Sequence, residues 1–130
     1  MTPSTNPRTQ LRAAAARTLE HCPYHTARRI DVRTGATSLT QALILAAGGT
    51  VRPGRAWVCE PTEPAARETL HAVARELLAE VGVAVADDAC PCRALARWER
   101  TAAEPAATYR LVGAHPAASR HLRVDLARAA

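Results

Sequence analysis

The chain has 130 residues, a formal net charge of +5 and no phenylalanine. This length suits a single domain whose apolar core is large enough to fold without metal ions or disulfides. No stretch approaches the roughly 20 apolar residues of a membrane span, and the N-terminus lacks the apolar core of a signal peptide. The sequence therefore argues against a membrane partner and predicts a cytoplasmic protein, in which the 4 cysteines are free thiols, ligands or nucleophiles rather than disulfides.

All 17 basic residues are arginines, which suits an anionic partner because guanidinium groups bind phosphate and carboxylate in pairs of hydrogen bonds. The arginines are scattered from Arg8 to Arg128, and no basic run alternates with aromatic residues. At most weak, non-specific binding of nucleic acid is expected. The partners predicted from charge are another protein or a small anionic ligand, and a homodimer is left open.

The N-terminal half predicts two helices around one strand. Residues 1–6 form a flexible arm, and Asn6 caps a helix that begins at Pro7 and ends before Pro23. A half-exposed strand is predicted in ARRIDVRTG, residues 27–35, where apolar and charged residues alternate. A buried helix follows in TSLTQALILAAGG, with Thr37 or Ser38 as its N-cap and a glycine pair at its end.

The C-terminal half predicts further strands and helices in alternation. The strands are expected in RAWVCEP (55–61), VAVA (83–86) and TYRLVGAHP (108–116). The clearest helix lies in PAARETLHAVARELLAEVG, whose apolar residues fall on one face and whose N-cap would be Thr62. Pro91 begins another helix with Cys90 as its N-cap, and a last helix is expected in AASRHLRVDLARAA.

Strands and helices that alternate in this way predict α/β or α+β layering. We expect residues 7–130 to form a helix-rich single domain with a small, mainly parallel sheet covered by helices, since connections of this length are typical of parallel crossovers. The carboxyl ends of parallel strands meet at one edge of a sheet, where sites form.

Chemically active residues follow three of the predicted strands, which makes them site candidates. Cys59 and Glu60 follow RAWV, the pair Asp87 and Asp88 and then Cys90 follow VAVA, and His115 follows YRLVGA. A catalytic site would use Cys90 as the nucleophile with His115 and Asp88. A metal site would use four ligands, which are Cys59, Cys90, Cys92 and His115.

Three interpretations of these residues remain open. Zinc accepts thiolates and imidazole, although one residue between Cys90 and Cys92 is short for a zinc ribbon. A thiol at a helix N-cap is activated by the helix dipole, which Asp87 and Asp88 oppose. The plainest interpretation is that the cysteines are a cap and small buried residues, that His115 is a loop residue, and that His71, between Arg67 and Arg75, lies neutral on the surface. No cofactor is therefore predicted, and zinc is the alternative.

Two segments, SLTQALILAAGG and ALARWERTAAE, resemble short, alanine-rich actinobacterial proteins classed as a domain of unknown function. That family's tryptophan is usually followed by Asn-Asp, whereas Trp98 is followed by Glu99 and Arg100. The resemblance implies a small intracellular accessory domain and no particular activity. The sequence as a whole predicts a binding or accessory protein; the alternatives are a small thiol-dependent or metal-dependent enzyme and an arginine-rich nucleic-acid-binding protein.

Overall fold

Helices dominate the part of the chain that the computed structural model describes, which comprises residues 6–22, 24, 37–52, 57–101 and 105–115. Five helices and two short strands lie in these ranges. In chain order they are α1 (Pro7–His21), α2 (Leu39–Ala46), β1 (Thr50–Arg52), β2 (Trp57–Cys59), α3 (Pro64–Glu80), α4 (Pro91–Thr101) and α5 (Pro105–Val112).

The starts of α1 and α2 follow local capping rules. The Asn6 side chain accepts a hydrogen bond from the Arg8 backbone N–H, which confirms Asn6 as the cap of α1. Ser38 caps α2 in a reciprocal capping box with Gln41. The glycine pair after α2 is required on steric grounds: Gly48 has a φ of 102°, and a Cβ on Gly49 would overlap the carbonyl oxygen of Cys59.

The predicted apolar stripe of α3 is confirmed. Leu70, Val73, Ala74, Leu77 and Leu78 are all fully buried. The predicted cap is wrong by one residue: Glu63, not Thr62, holds the N-cap position and makes no side-chain capping bond. The helix is therefore held by packing of its apolar face rather than by its cap.

The core is made mainly of leucines packed over alanines. Ala15, Ala42 and Ala74 are at most 1% exposed, which lets neighbouring helices approach closely. The rings of Tyr24 and Tyr109 meet at 5.7 Å with a tilt of 55°, an arrangement that aromatic pairs favour. Two tyrosines thus supply the bulk that phenylalanines give to most cores.

The predicted parallel sheet is wrong. The two strands that the described residues contain pair antiparallel, with Val51 opposite Val58. Only residues 53–56 connect β1 to β2. A parallel pair needs a crossover of a dozen or more residues, so this connection permits only a hairpin.

The segment VAVA, at 83–86, belongs to neither a helix nor a strand. The guanidinium group of Arg75 donates to four carbonyl oxygens at its end and just after it, those of Val85, Ala86, Asp87 and Ala89, over 3.3–3.5 Å. These carbonyls thus find a donor in α3 rather than in a neighbouring strand. Val83 and Val85 still pack against the core.

The predicted strand at 108–116 is also wrong, because α5 covers its first half. Pro105 begins this helix, and Thr108, Tyr109 and Val112 are buried at helical spacing. The segments ARRIDVRTG and AASRHLRVDLARAA, and residues 1–5 of the arm, lie outside the described residues. Among those described, no helix has both the length and the apolar character that crossing a membrane requires.

Candidate metal centre

Four side chains that can bind a metal ion come together between β2, α3 and α4. One ligand atom from each of them lies within 4.8 Å of all the others. We call this set the ligand tetrad; its members are Glu60, His71, Cys90 and Cys92. Glu60, His71 and Cys90 are half-buried, whereas Cys92 is buried, so the tetrad extends from the protein interior toward its surface.

Three segments of backbone place these side chains. Glu60 follows the last residue of β2, and His71 lies in the first half of α3. Pro91 begins α4 and is buried, which fixes Cys90 at the position before the helix and Cys92 in its first turn. Arg67 of α3 donates to the carbonyl oxygen of Pro61 at 3.2 Å, which ties the segment after β2 to the helix that carries His71.

Both carboxylate oxygens of Glu60 accept hydrogen bonds from other members of the tetrad. Oε1 lies 2.6 Å from Nε2 of His71, and Oε2 accepts from the Cys90 thiol at 3.4 Å. A carboxylate can only accept, so Nε2 of His71 carries a hydrogen in this contact. The Cys90 thiol therefore holds a proton that a cation can replace, and His71 can bind a cation through Nε2 when its ring hydrogen lies on Nδ1 instead.

The Cys92 thiol lies deepest in the tetrad. Burial raises its pKa, and the nearby Glu60 carboxylate and Cys90 sulfur raise it further. Without a cation, Cys92 is therefore a neutral thiol at physiological pH. A bound metal ion reverses this situation, because it supplies the positive charge that stabilises a thiolate.

The spacing of the tetrad is close to that of a tetrahedral zinc site. Zinc bonds of about 2.0–2.3 Å place ligand atoms roughly 3.3–3.8 Å apart. The separations in the tetrad range from the 2.6 Å contact between Glu60 and His71 up to no more than 4.8 Å, an upper limit about 1 Å above the tetrahedral spacing. A tetrahedral zinc ion would therefore need the side chains to rotate toward a more even spacing.

The structure separates the residues that the sequence proposed as a site. Cys90 and Cys92 lie in the tetrad, whereas Cys59 is exposed on β2. The backbone N–H of the exposed His115 donates to Glu20 at 2.7 Å. Asp88 lies in an exposed turn, and neither His115 nor Asp88 belongs to the tetrad.

Sequence reasoning missed Glu60 and His71 as ligands. Alternate residues of a strand face opposite sides, so Glu60 shares the side of Val58, which lines a cavity, while Cys59 faces away from it. His71 is half-buried rather than free on the surface, since its side chain is 30% exposed and bonded to Glu60. Its spacing of four residues from Arg67, which lines the same cavity, was the signal that both face one side of α3.

The tetrad borders a cavity of about 910 Å³ that also reaches α2 and α4. We call it the α4 cavity. Besides the tetrad, eleven residues line it: Ser38, Thr40, Gln41, Ile44, Val58, Arg67, Arg93, Ala96, Arg97, Glu99 and Arg100. A metal ion in the tetrad would therefore be accessible to a small molecule.

Glu99 is a second acidic group on the wall of this cavity, and it is only 3% exposed. Its oxygens accept from the backbone N–H groups of Leu39 and Thr40, each at 2.8 Å, and from the hydroxyls of Thr40 and Tyr24. Burial raises the pKa of Glu99, and the bonds from Thr40, Tyr24 and Leu39 act in the opposite direction. Glu99 therefore caps α2 from another helix and joins α4 to it.

Comparison of this chain with protein-family models, with curated proteins and with solved structures finds no match. The resemblance to short actinobacterial proteins thus stays a prediction from the sequence.

Proposed function

We propose that this protein binds a zinc ion through Glu60, His71, Cys90 and Cys92. The observation that carries the proposal is the convergence of four ligand atoms within 4.8 Å, contributed by three separate segments. Each of these side-chain types is a common zinc ligand. The proposal retains Cys90 and Cys92 from the predicted metal site and replaces Cys59 and His115 with Glu60 and His71.

The chemistry of the donors favours zinc over magnesium or calcium. Both of those ions prefer oxygen ligands, and the tetrad offers two sulfurs, one nitrogen and one carboxylate. Binding would release the protons of both thiols, since the thiolate is the ligand. Two thiolates and one carboxylate would then surround the dication and offset its charge.

A metal-dependent enzyme is the second candidate, and the α4 cavity beside the tetrad favours it. Catalytic zinc sites keep three protein ligands and leave one position to water or substrate. Cys90, Cys92 and His71 would supply three, and water would take the place of the Glu60 carboxylate. Released from the ion, the Glu60 carboxylate would accept a proton from that water.

The geometry supports a thiol enzyme less well. The Cys90 sulfur donates to the Glu60 carboxylate, and the imidazole of His71, the base that a thiol enzyme would use, also bonds Glu60. Cys92 is buried, and burial raises its pKa. A role as an accessory protein with a protein partner, and weak binding to nucleic acid, stay predictions from the sequence.

Metal analysis of the purified protein tests the zinc proposal. We expect one zinc per chain, and, after exchange with cobalt, the thiolate-to-metal absorption of a site with two cysteines. Cys92→Ser should lose both signals, and the matched control Cys59→Ser should keep them, because Cys59 is outside the tetrad. Circular dichroism of both variants checks that the helices persist. Equal metal content in wild type, Cys92→Ser and Cys59→Ser would refute the proposal.

A further inference from the structure

One face of α4 lines the α4 cavity with two parallel stripes of residues. Cys92, Ala96 and Glu99 recur at i, i+4 and i+7, and Arg93, Arg97 and Arg100 repeat this spacing one residue later. Such spacing places each set on a single side of a helix. The first stripe is buried or half-buried and the arginine stripe is exposed, so the arginines form the rim of the cavity.

Within the described residues, these arginines are available to a ligand. Among the residues that the structure describes, no carboxylate lies within ion-pair distance of the guanidinium groups of Arg93, Arg97 or Arg100. A fourth arginine, Arg67, lines the cavity from α3. The lining thus has four arginines against two glutamates, Glu60 and Glu99, and attracts anions.

The two glutamates of the lining do not pair with the arginines of this rim. Glu99 is occupied by four hydrogen-bond donors from α2 and Tyr24, and Glu60 by His71 and Cys90. Glu99 also takes the free backbone N–H groups at the start of α2, where an anion would otherwise bind. An anion that enters the cavity therefore meets the arginine stripe as its main source of donors.

We infer that the α4 cavity binds a small organic anion whose carboxylate or phosphate group is held by Arg93, Arg97 and Arg100. Guanidinium groups bind both oxyanions through paired hydrogen bonds. The cavity volume of about 910 Å³ is in the range of small-molecule sites, about 300–1,000 Å³, which argues for a compact ligand rather than a polymer. The inference goes beyond the zinc proposal and does not depend on it, because the arginines line the cavity in the absence of metal.

Calorimetric titration of the metal-free protein, freed of chelator, tests the inference with two probes, inorganic phosphate and succinate. Sodium chloride at equal ionic strength is the reference, because simple screening acts in both solutions. We expect saturable binding of at least one probe. Phosphate binding alone would assign a phosphate ligand, and succinate binding alone a carboxylate ligand.

Two double variants with the same change in charge locate the site. Arg93→Gln/Arg97→Gln should weaken binding by about tenfold or more, whereas Arg17→Gln/Arg110→Gln should change it by less than about twofold. Arg17 and Arg110 are exposed and lie outside this cavity. All four substituted residues are exposed, so both variants should fold, which thermal melting verifies.

Three results would overturn the inference. One is the absence of binding beyond the chloride reference, and another is an equal loss in the two double variants. The third is that a short DNA duplex binds more tightly than phosphate or succinate and that its binding also depends on Arg93 and Arg97. This result would assign the rim to nucleic acid. Zinc content is measured separately, so a failure of the zinc proposal leaves this result unaffected.

Discussion

Glu60 and Glu99 lie on the wall of the same cavity, yet their surroundings are opposite in kind. Glu99 is 3% exposed and accepts four hydrogen bonds, two of them from backbone N–H groups. Glu60 is 26% exposed and bonds an imidazole and a thiol. The backbone N–H groups that bond Glu99 cannot bind a metal ion. The side chains that bond Glu60 can do so, Cys90 as a thiolate and His71 through a ring nitrogen.

Glu99 thus supports the fold, whereas Glu60 is placed to bind a metal ion. A fully bonded acid such as Glu99 has no lone pair left for a ligand, and its removal leaves donors of α2 unsatisfied. Glu60 lies among other side chains that can bind a metal ion. Its removal should cost little stability in the metal-free protein but should weaken the binding of a cation. Stability and metal affinity should therefore respond to different glutamates.

The largest expected effect is on the stability of the metal-free protein. Glu99→Ala should lower the free energy of unfolding by about 4 kcal/mol, because the N–H groups of Leu39 and Thr40 and the Tyr24 hydroxyl lose their buried acceptor. Glu60→Ala should cost less than about 1 kcal/mol, since its side chain is partly exposed. Urea denaturation measures both, and equal losses would remove the distinction between the two acids.

The second effect is on zinc affinity, where the neighbours of Glu60 are decisive. His71→Ala should weaken zinc binding by about 100-fold, because it removes one of the four ligands. His115→Ala is the matched control and should leave the affinity within about twofold, since His115 is outside the tetrad. Competition with a chromogenic chelator measures both constants. A larger effect of His115 would restore the ligand set proposed from the sequence.

The pH dependence sharpens the contrast, since the pKa of the buried Cys92 is raised. The thiol must lose its proton to bind zinc, so zinc affinity should rise by about tenfold to 100-fold for each pH unit between about pH 6 and 8. The metal-free protein should behave in the opposite way. Its folded state favours the protonated thiol, and it should lose stability as pH rises above about 8.5. Zinc affinity that does not vary with pH would mean that the thiols are not ligands.

The smallest effect concerns the segment that leads to Cys90. Arg75→Ala removes the donor shared by four carbonyl oxygens at 85–89 and should cost about 1 kcal/mol of stability. Because these residues immediately precede Cys90, zinc affinity should fall by a few-fold. The stability that the hydrogen bonds of Glu99 provide should be unchanged. Thermal melting and zinc competition report the two quantities. A loss of stability without any change in zinc affinity would show that this segment does not position Cys90.

The starts of α1, α2 and α4 and the α3 stripe were predictable because they depend on residues a few positions apart. Asn6, Ser38 and the first turn of α4 follow such local rules, and so does the burial of Cys92. The sheet was not predictable in this way. VAVA has the pattern of a strand, but the carbonyl oxygens of its last two residues accept hydrogen bonds from Arg75. Tertiary contacts override a short alternating pattern.

The ligand tetrad was half predictable for the same reason. Only Pro91 separates Cys90 from Cys92 in the sequence, but Glu60 and His71 join them only through the packing of α3 on α4 and of the segment after β2. The arginines that flank His71 suggested a solvated surface. In the structure Arg67 and Arg75 bond backbone carbonyl oxygens, which leaves His71 to contact Glu60.

The separation of the ligands along the chain has a consequence for folding. An ion held by Glu60 and Cys92 closes the loop of chain between them, which contains all of α3. Loop closure removes conformational entropy from the unfolded ensemble, so such a cross-link stabilises the native state in the manner of a disulfide, but reversibly and according to the concentration of free metal. Amide hydrogen exchange in α3 should therefore slow when zinc is added, including at residues that never contact the ion.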